Sequence, residues 1–289
     1  ALVVVGEAGV GKSRLRAELL ARVRESRQPA QVVLAQGDAL RSGVPAGMIG
    51  RALRGFLGLP DGSPAAQQAM LRARVAARLH GPDAERVTEF IGQITGVPLV
   101  ATESIALRAA QQDPQLMADQ KRRAFADWLA AECRAQPVIL VVDDLQWADP
   151  VSVELIGAAL KRGRDLPLFV LAFARPELGS RFPRLDADWG RQEIRLAALR
   201  PDACAEVARH VLGEDADPVL IESLVDRSGG NPFYLEELIR AAASPDSVGL
   251  PASVLASTQL RIGKKPPRAR QVLRAASLFG RVFWAGGVE

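Results

Sequence analysis

The chain has 289 residues, of which 48% are hydrophobic and 24% charged, with a formal net charge of +4. That is an ordinary globular balance with length for about two domains, and its small positive excess, without a dense Lys/Arg block, is a weak signal for nucleic acid. Cys133 and Cys204 are too few and too isolated for a metal cluster or a disulfide framework, and no apolar run approaches the roughly 20 residues that span a bilayer.

Such cysteine usage suits a reduced, cytoplasmic setting. His80 and His210 have no cysteine or carboxylate at metal-ligand spacing and read as structural, and Lys264-Lys265 reads as a solvated turn before Pro266-Pro267. The opening residues are not expected to act as a signal peptide. The chain opens inside an apolar strand without an initiator Met, as expected for a piece of a longer protein.

In chain order, Leu2–Val5 is a short β-branched run of the kind buried on both faces of a parallel sheet. A loop, Gly6–Gly11, follows, and Ser13 to about Arg24 shows helical periodicity with Leu15, Leu19, Leu20 and Val23 on one side. Gln31–Ala35 is expected to form a second strand. Residues from about 46 to 136 look helical, with breaks near Gly58–Ser63, Gly81-Pro82, Gly96–Pro98 and Asp113-Pro114. This is longer than one crossover helix and suggests a helical insertion.

Val138–Val142 is the strongest strand, and Pro150 stands where a helix would begin, with Asp149 as its N-cap. Leu168–Phe173 and Glu193–Leu196 complete the expected strands. Strands alternating with helices indicate an α/β domain with a parallel sheet. After Leu199 the pattern turns wholly helical: Pro201–Leu212, Pro218–Arg227 and Pro232–Ala243, then a linker at Ser244–Gly249 and two further helices near 251–262 and 267–278. The expected division is a core over 1–199, a small helical lid over 200–245, and the start of a third domain over 250–289.

Residues 6–13, Gly-Glu-Ala-Gly-Val-Gly-Lys-Ser, match G-x-x-x-x-G-K-[ST], the phosphate-binding P-loop. The loop must fold tightly so that backbone N–H groups point at phosphates, and Gly6, Gly9 and Gly11 permit that backbone path. The nucleotide-binding stretch is read as Gly6, Glu7, Ala8, Gly9, Val10, Gly11, Lys12, Ser13 and Arg14, with no role for the Glu7 side chain. The helix start adds unpaired N–H groups and its positive dipole end. Lys12 can reach the β- and γ-phosphates, and the Ser13 hydroxyl can coordinate Mg²⁺.

The strand Val138–Val142 runs into Asp143-Asp144, the Walker B pattern, which sets an acid at the carboxyl edge of the sheet where ligands of open α/β sheets bind. Asp143 is assigned to Mg²⁺. Asp144 either orients and deprotonates the attacking water or caps a turn. It is one methylene shorter than Glu, and small misplacements of a reacting water are costly, so slow hydrolysis is expected. Arg175 follows the strand Leu168–Phe173. If that strand neighbours the Walker B strand, Arg175 faces the γ-phosphate region as a sensor; otherwise it is an exposed loop arginine.

These residues resemble the Orc-like AAA+ ATPase module of signalling P-loop proteins, the STAND class. The matching stretches are Gly6–Leu15, Val138–Pro150 (VILVVDDLQWADP), Leu171–Glu177, Gly229–Leu238 and Leu273–Phe283. The resemblance implies a five-stranded sheet of order 5-1-4-3-2, a helical lid and a winged-helix domain, an order that spacing alone does not supply. It also implies ATP over GTP, Mg²⁺ at Asp143, water activation by Asp144, and Arg175 as sensor. Gly230-Asn231-Pro232 would open a lid helix with Pro232 near the adenine, although proline at a first helical position needs no ligand to explain it. Trp147 reads as packing. No arginine finger can be placed, and Arg227 is a weak lid-arginine candidate, which argues against motor-like hydrolysis.

The implied function is a slow, ATP-driven regulatory switch inside a larger protein with a kinase, cyclase or DNA-binding output and helical repeats. Nucleotide-dependent self-association fits this class, whereas membrane partners and direct nucleic-acid binding by this stretch do not. The rival readings are a non-hydrolysing nucleotide scaffold, a small-molecule P-loop kinase, and a DNA-binding initiator-like ATPase.

Overall fold

The computed structural model describes residues 1–97, 104–243, 262, 265–277 and 286. Two compact units emerge, one made of Ala1–Gly6 with Ser13–Arg195, the other of Glu7–Lys12 with the described residues from Leu196 onward. The first is an α/β layer structure. Its strands are β1 (Leu2–Val5), β2 (Gln31–Gln36), β3 (Val138–Asp143), β4 (Leu168–Ala174) and β5 (Gln192–Arg195), in the order β2-β3-β4-β1-β5. All neighbours run parallel. This is the 5-1-4-3-2 order that the resemblance implied, read from the other edge.

The central strands are apolar at nearly every position because both faces are covered. Val3, Val5, Val33, Ala35, Leu140, Val142, Val170 and Ala172 belong to the main core, and the alternate residues Val4, Val141, Leu171 and Phe173 are buried as well. At the edge, all four residues of β5 are exposed, and Leu34 of β2 is exposed.

The helices of this unit are α1 (Lys12–Glu25), α2 (Gly47–Leu57), α3 (Pro64–Ala76), α4 (Gly81–Thr95), α5 (Ile105–Gln112), α6 (Pro114–Ala135), α7 (Pro150–Arg162), α8 (Leu178–Arg181) and α9 (Leu185–Trp189). Five of them, α2 to α6, lie between β2 and β3, where the sequence shows its long helical stretch. Gly58 and Gly96 end α2 and α4 in the left-handed region, and Asp113 caps α6 through hydrogen bonds from Gln115 N and Leu116 N. Ile49, Leu53, Phe90, Trp128 and Leu155 from these helices fill the core against the sheet. Each fully buried side chain of this size contributes roughly 1.5–3 kcal/mol. On α1, Leu20 is buried and Leu15, Leu19 and Val23 are half-buried, the stripe that periodicity marked.

Asp149 shows how the segment after β3 is pinned. It is 2% exposed, and its carboxylate accepts from Ala46 N (2.8 Å), Ser152 N (2.9 Å), Met48 N (3.1 Å) and Ser152 Oγ (2.7 Å). One side chain therefore caps α7, as expected, and also the start of α2, which chain spacing does not reveal.

The second unit holds α10 (Pro201–Leu212), α11 (Pro218–Ser228) and α12 (Pro232–Ala242) around Cys204, Ala208, Ile221, Leu224, Leu235, Leu238 and Ile239. A further helix, α13, spans Pro267–Ser277. The helix expected near 251–262 and most of the winged-helix start fall outside the described residues. Among the described helices none is long and apolar enough to cross a membrane, and among the described residues no group of three or more His, Cys, Asp or Glu is placed to hold a metal ion.

Candidate functional site

Parallel strands bring their carboxyl ends to one edge, so the ends of β1, β3 and β4 face the same way. β4 lies between the other two and pairs with β3, the strand that ends in Asp143. A hydrogen bond from Gly6 N to Ala174 O, 3.1 Å, ties the residue after β1 to the last residue of β4. Arg175 follows directly. It is half-buried and lines a surface pocket of about 290 Å³ with Gln146, Trp147, Glu177, Ser180 and Arg181. Trp147 is half-buried, and the Arg181 guanidinium stands 5.9 Å from its ring centre, within cation–π range.

The phosphate loop runs from Gly6 to Gly11, and α1 starts at Lys12. Gly9 and Gly11 have φ of +83° and +102°. A Cβ on Gly11 would meet nothing within 4 Å, so only its backbone angle requires glycine there. At Gly9 crowding adds to the angle, since a Cβ would lie 2.6 Å from Asn231 Oδ1. Lys12 Nζ donates to Glu7 O at 2.7 Å, so the loop's own carbonyl accepts the lysine while the Glu7 side chain stays exposed. Ser13 and Arg14 are exposed on the first turn of α1, where N–H groups have no helical acceptor.

Asp143 closes β3 and is 7% exposed. Its Oδ2 is ion-paired with Arg16 Nη1, and its Oδ1 accepts from Asp144 N at 3.1 Å. Arg16 sits one turn beyond Ser13 on α1, about 4.5 Å along the axis, so the same helix face carries the hydroxyl and the cation. The pairing brings the first turn of α1 to the acid at the end of β3. Mg²⁺ takes oxygen ligands and keeps several waters. The near-buried Asp143 carboxylate offers such an oxygen, and an ion bound at Oδ2 would have to displace the Arg16 guanidinium.

Asp144 adopts left-handed backbone angles, φ +53° and ψ +46°, unusual for a residue with a side chain. It leads the 3₁₀ turn Leu145–Trp147, yet its side chain makes no capping bond there. The carboxylate instead accepts from Gln146 Nε2 at 3.1 Å. The turn-cap alternative therefore lacks its hydrogen bond.

Pro232 opens α12 at the first helical position, and Asn231 is the cap, its Oδ1 accepting from Phe233 N (3.1 Å) and Tyr234 N (3.2 Å). Asn231 Nδ2 also donates to Ala8 O at 3.0 Å, and Phe233 N donates to Gly9 O at 3.2 Å. Within the second unit, then, the start of α12 is bonded to the phosphate loop. Three groups escaped the sequence reading: Arg16, the Gln146 side chain and the amide of Asn231. Arg16 had a signal, its i+3 spacing from Ser13. The others depend on contacts between distant segments.

A family model, the AAA ATPase domain, matches residues 1–171. An uncharacterised protein of Rhizobium meliloti (strain 1021) is 28% identical over 301 residues, covering 96% of this chain and 27% of its own length. The chain thus spans about a quarter of that relative. Among solved structures, a Signal Transduction ATPase with Numerous Domains protein with a tetratricopeptide repeat sensor, from Pyrococcus horikoshii, aligns at 16% identity and a TM-score of 0.45, covering 99% of this chain and 33% of the other. The Cdc6 protein of Pyrobaculum aerophilum aligns at 13% identity and a TM-score of 0.46, covering 100% of this chain and 71% of the other. With the phosphate loop inside the matched span and a parallel sheet that carries an acid at its carboxyl edge, the chain belongs to the AAA ATPase domain family.

Proposed function

We propose that this chain is a Mg²⁺-ATP-binding, slowly hydrolysing switch module of a larger regulatory protein. The observation that supports this most is the Arg16–Asp143 pair, which joins the first turn of the helix after the phosphate loop to the acid ending β3. The loop amides and Lys12 would take the β- and γ-phosphates. Ser13 and Asp143 would hold Mg²⁺, which supplies charge neutralisation on the phosphate oxygens. Asp144 would orient the attacking water and accept its proton, and Arg175 would meet the charge developing on the γ-phosphoryl group.

The switch would arise from differential contact. Only a group that touches the γ-phosphate can make ATP and ADP favour different conformations, and Arg175 is that group in this reading. Pro232 would lie near the adenine, as the resemblance implies. Output domains such as a kinase, a cyclase or a DNA-binding module, together with helical repeats, would lie elsewhere in the parent protein.

The test is nucleotide binding and turnover by Lys12→Ala and Asp144→Asn. Lys12→Ala should weaken ATP binding at least tenfold, in line with the loss of one charge-assisted phosphate contact. Asp144→Asn should bind normally and lose turnover; unchanged turnover would remove Asp144 from the reaction.

A further inference from the structure

Gln146 is 4% exposed, a polar side chain shut inside the turn after β3. Both ends of its amide are engaged. Nε2 donates to Asp144 Oδ1 at 3.1 Å, and Oε1 accepts from Arg175 N at 3.1 Å. The two partners fix the amide orientation, because a flip would set NH₂ against N–H and C=O against a carboxylate. The amide therefore spans from the end of β3 to the end of β4. It holds the residue proposed to handle water and the backbone of the residue proposed to read the γ-phosphate.

Two further contacts extend the linkage. The Gly6 N to Ala174 O bond joins the start of the phosphate loop to the residue before Arg175. On the other side, Gly37 N donates to Asp143 O at 2.8 Å, and a Cβ on Gly37 would come within 2.2 Å of Asp144 O. Asp144 thus holds its left-handed conformation with the Gly37 backbone closely packed against its carbonyl.

We propose that Gln146 is the positioning residue of the hydrolytic centre. Its amide aims the Asp144 carboxylate and locks that aim to the Arg175 backbone, so that the water-orienting acid and the γ-phosphate sensor move together. This rests on the roles given to Asp144 and Arg175 in the proposed function.

The experiment compares wild type, Asp144→Asn, Gln146→Leu and Gln146→Glu by single-turnover ATP hydrolysis, with ATP and ADP dissociation constants measured in parallel. Gln146→Leu removes both bonds. Gln146→Glu keeps an acceptor for Arg175 N but puts a second carboxylate against Asp144. Both should hydrolyse about 10- to 100-fold more slowly, the cost of a mis-set base, with dissociation constants within about twofold of wild type. The split between rate and affinity is the readout, since a merely structural Gln146 would weaken ATP and ADP binding along with the rate. If Gln146→Leu does not fold, the rate of the near-isosteric Gln146→Glu decides. Loss of turnover in Asp144→Asn with a normal rate in the Gln146 variants overturns the proposal and leaves the reading of Asp144 standing. Normal turnover in Asp144→Asn, or none in wild type, overturns both.

Discussion

Arg16, one turn into α1, is ion-paired with Asp143, the last residue of β3. The pair is asymmetric in exposure: the arginine side chain is 33% exposed and the carboxylate side chain 10%. A near-buried carboxylate without a cation is costly, so the arginine serves as the positive charge that the end of β3 requires. A divalent ion would compete for the same oxygen.

This competition is measurable. Arg16→Gln should destabilise the nucleotide-free protein by about 1–3 kcal/mol, less than for a fully buried pair because the arginine is partly in water. Millimolar Mg²⁺ should raise the melting temperature more in Arg16→Gln than in wild type, as the ion takes over the vacated charge. Thermal melts with and without MgCl₂ check this; an equal response of the two proteins would argue against competition.

Asp149 is expected to be the most sensitive side chain of the turn after β3. It accepts four hydrogen bonds and caps α2 and α7 at once. Asp149→Ala should cost on the order of 3 kcal/mol, an N-cap loss plus stranded buried donors. Asp149→Asn should cost less, since one oxygen still accepts. Urea denaturation midpoints distinguish the three proteins.

Gly37 tests close approach without any unusual backbone angle. Its Cβ position is 2.2 Å from Asp144 O and 3.0 Å from Trp147 C, both rigid backbone atoms. Gly37→Ala must displace the Asp144 peptide. ATP turnover should fall at least about tenfold, since small misplacements near reacting atoms are amplified, while Gly43→Ala, where a Cβ meets nothing within 4 Å, should leave turnover unchanged.

Cys133 offers a pH-dependent readout of the core. Burial, with Glu132 adding to it, pushes its thiol up from 9.0 to about 11. The folded value lies above the unfolded one, so the associated stability is fully present below about pH 9 and is lost as pH rises toward about 11. At pH 8 the folded thiol should resist iodoacetamide, with alkylation tracking unfolding.

Much of the fold is written locally. Four apolar runs mark β1 to β4 to within a residue at either end, and Gly58, Gly96 and Asp113 mark the breaks among the inserted helices because αL caps and carboxylate caps need those residue types. β5 begins one residue earlier than its apolar residues suggest, since Gln192–Arg195 is an exposed edge whose pairing with β1 is carried by the backbone. Strand order is not local at all; it came from family resemblance and not from spacing. The P-loop and Asp143 were legible because phosphate chemistry dictates residue types at fixed offsets. Gln146, Gly37 and the Asn231–Ala8 bond were not, because each gains its role from a partner distant in sequence or from a backbone angle that residue type does not announce.

The most direct measurement is a calorimetric titration of ATP into wild type and Asp143→Asn, each with Mg²⁺ and with EDTA. Wild type should bind ATP at least about tenfold more tightly with Mg²⁺, a gain of about 1.4 kcal/mol or more, and Asp143→Asn should lose most of that difference. Equal Mg²⁺ dependence in the two proteins, or no dependence in wild type, would contradict a metal-triphosphate site built on Ser13 and Asp143.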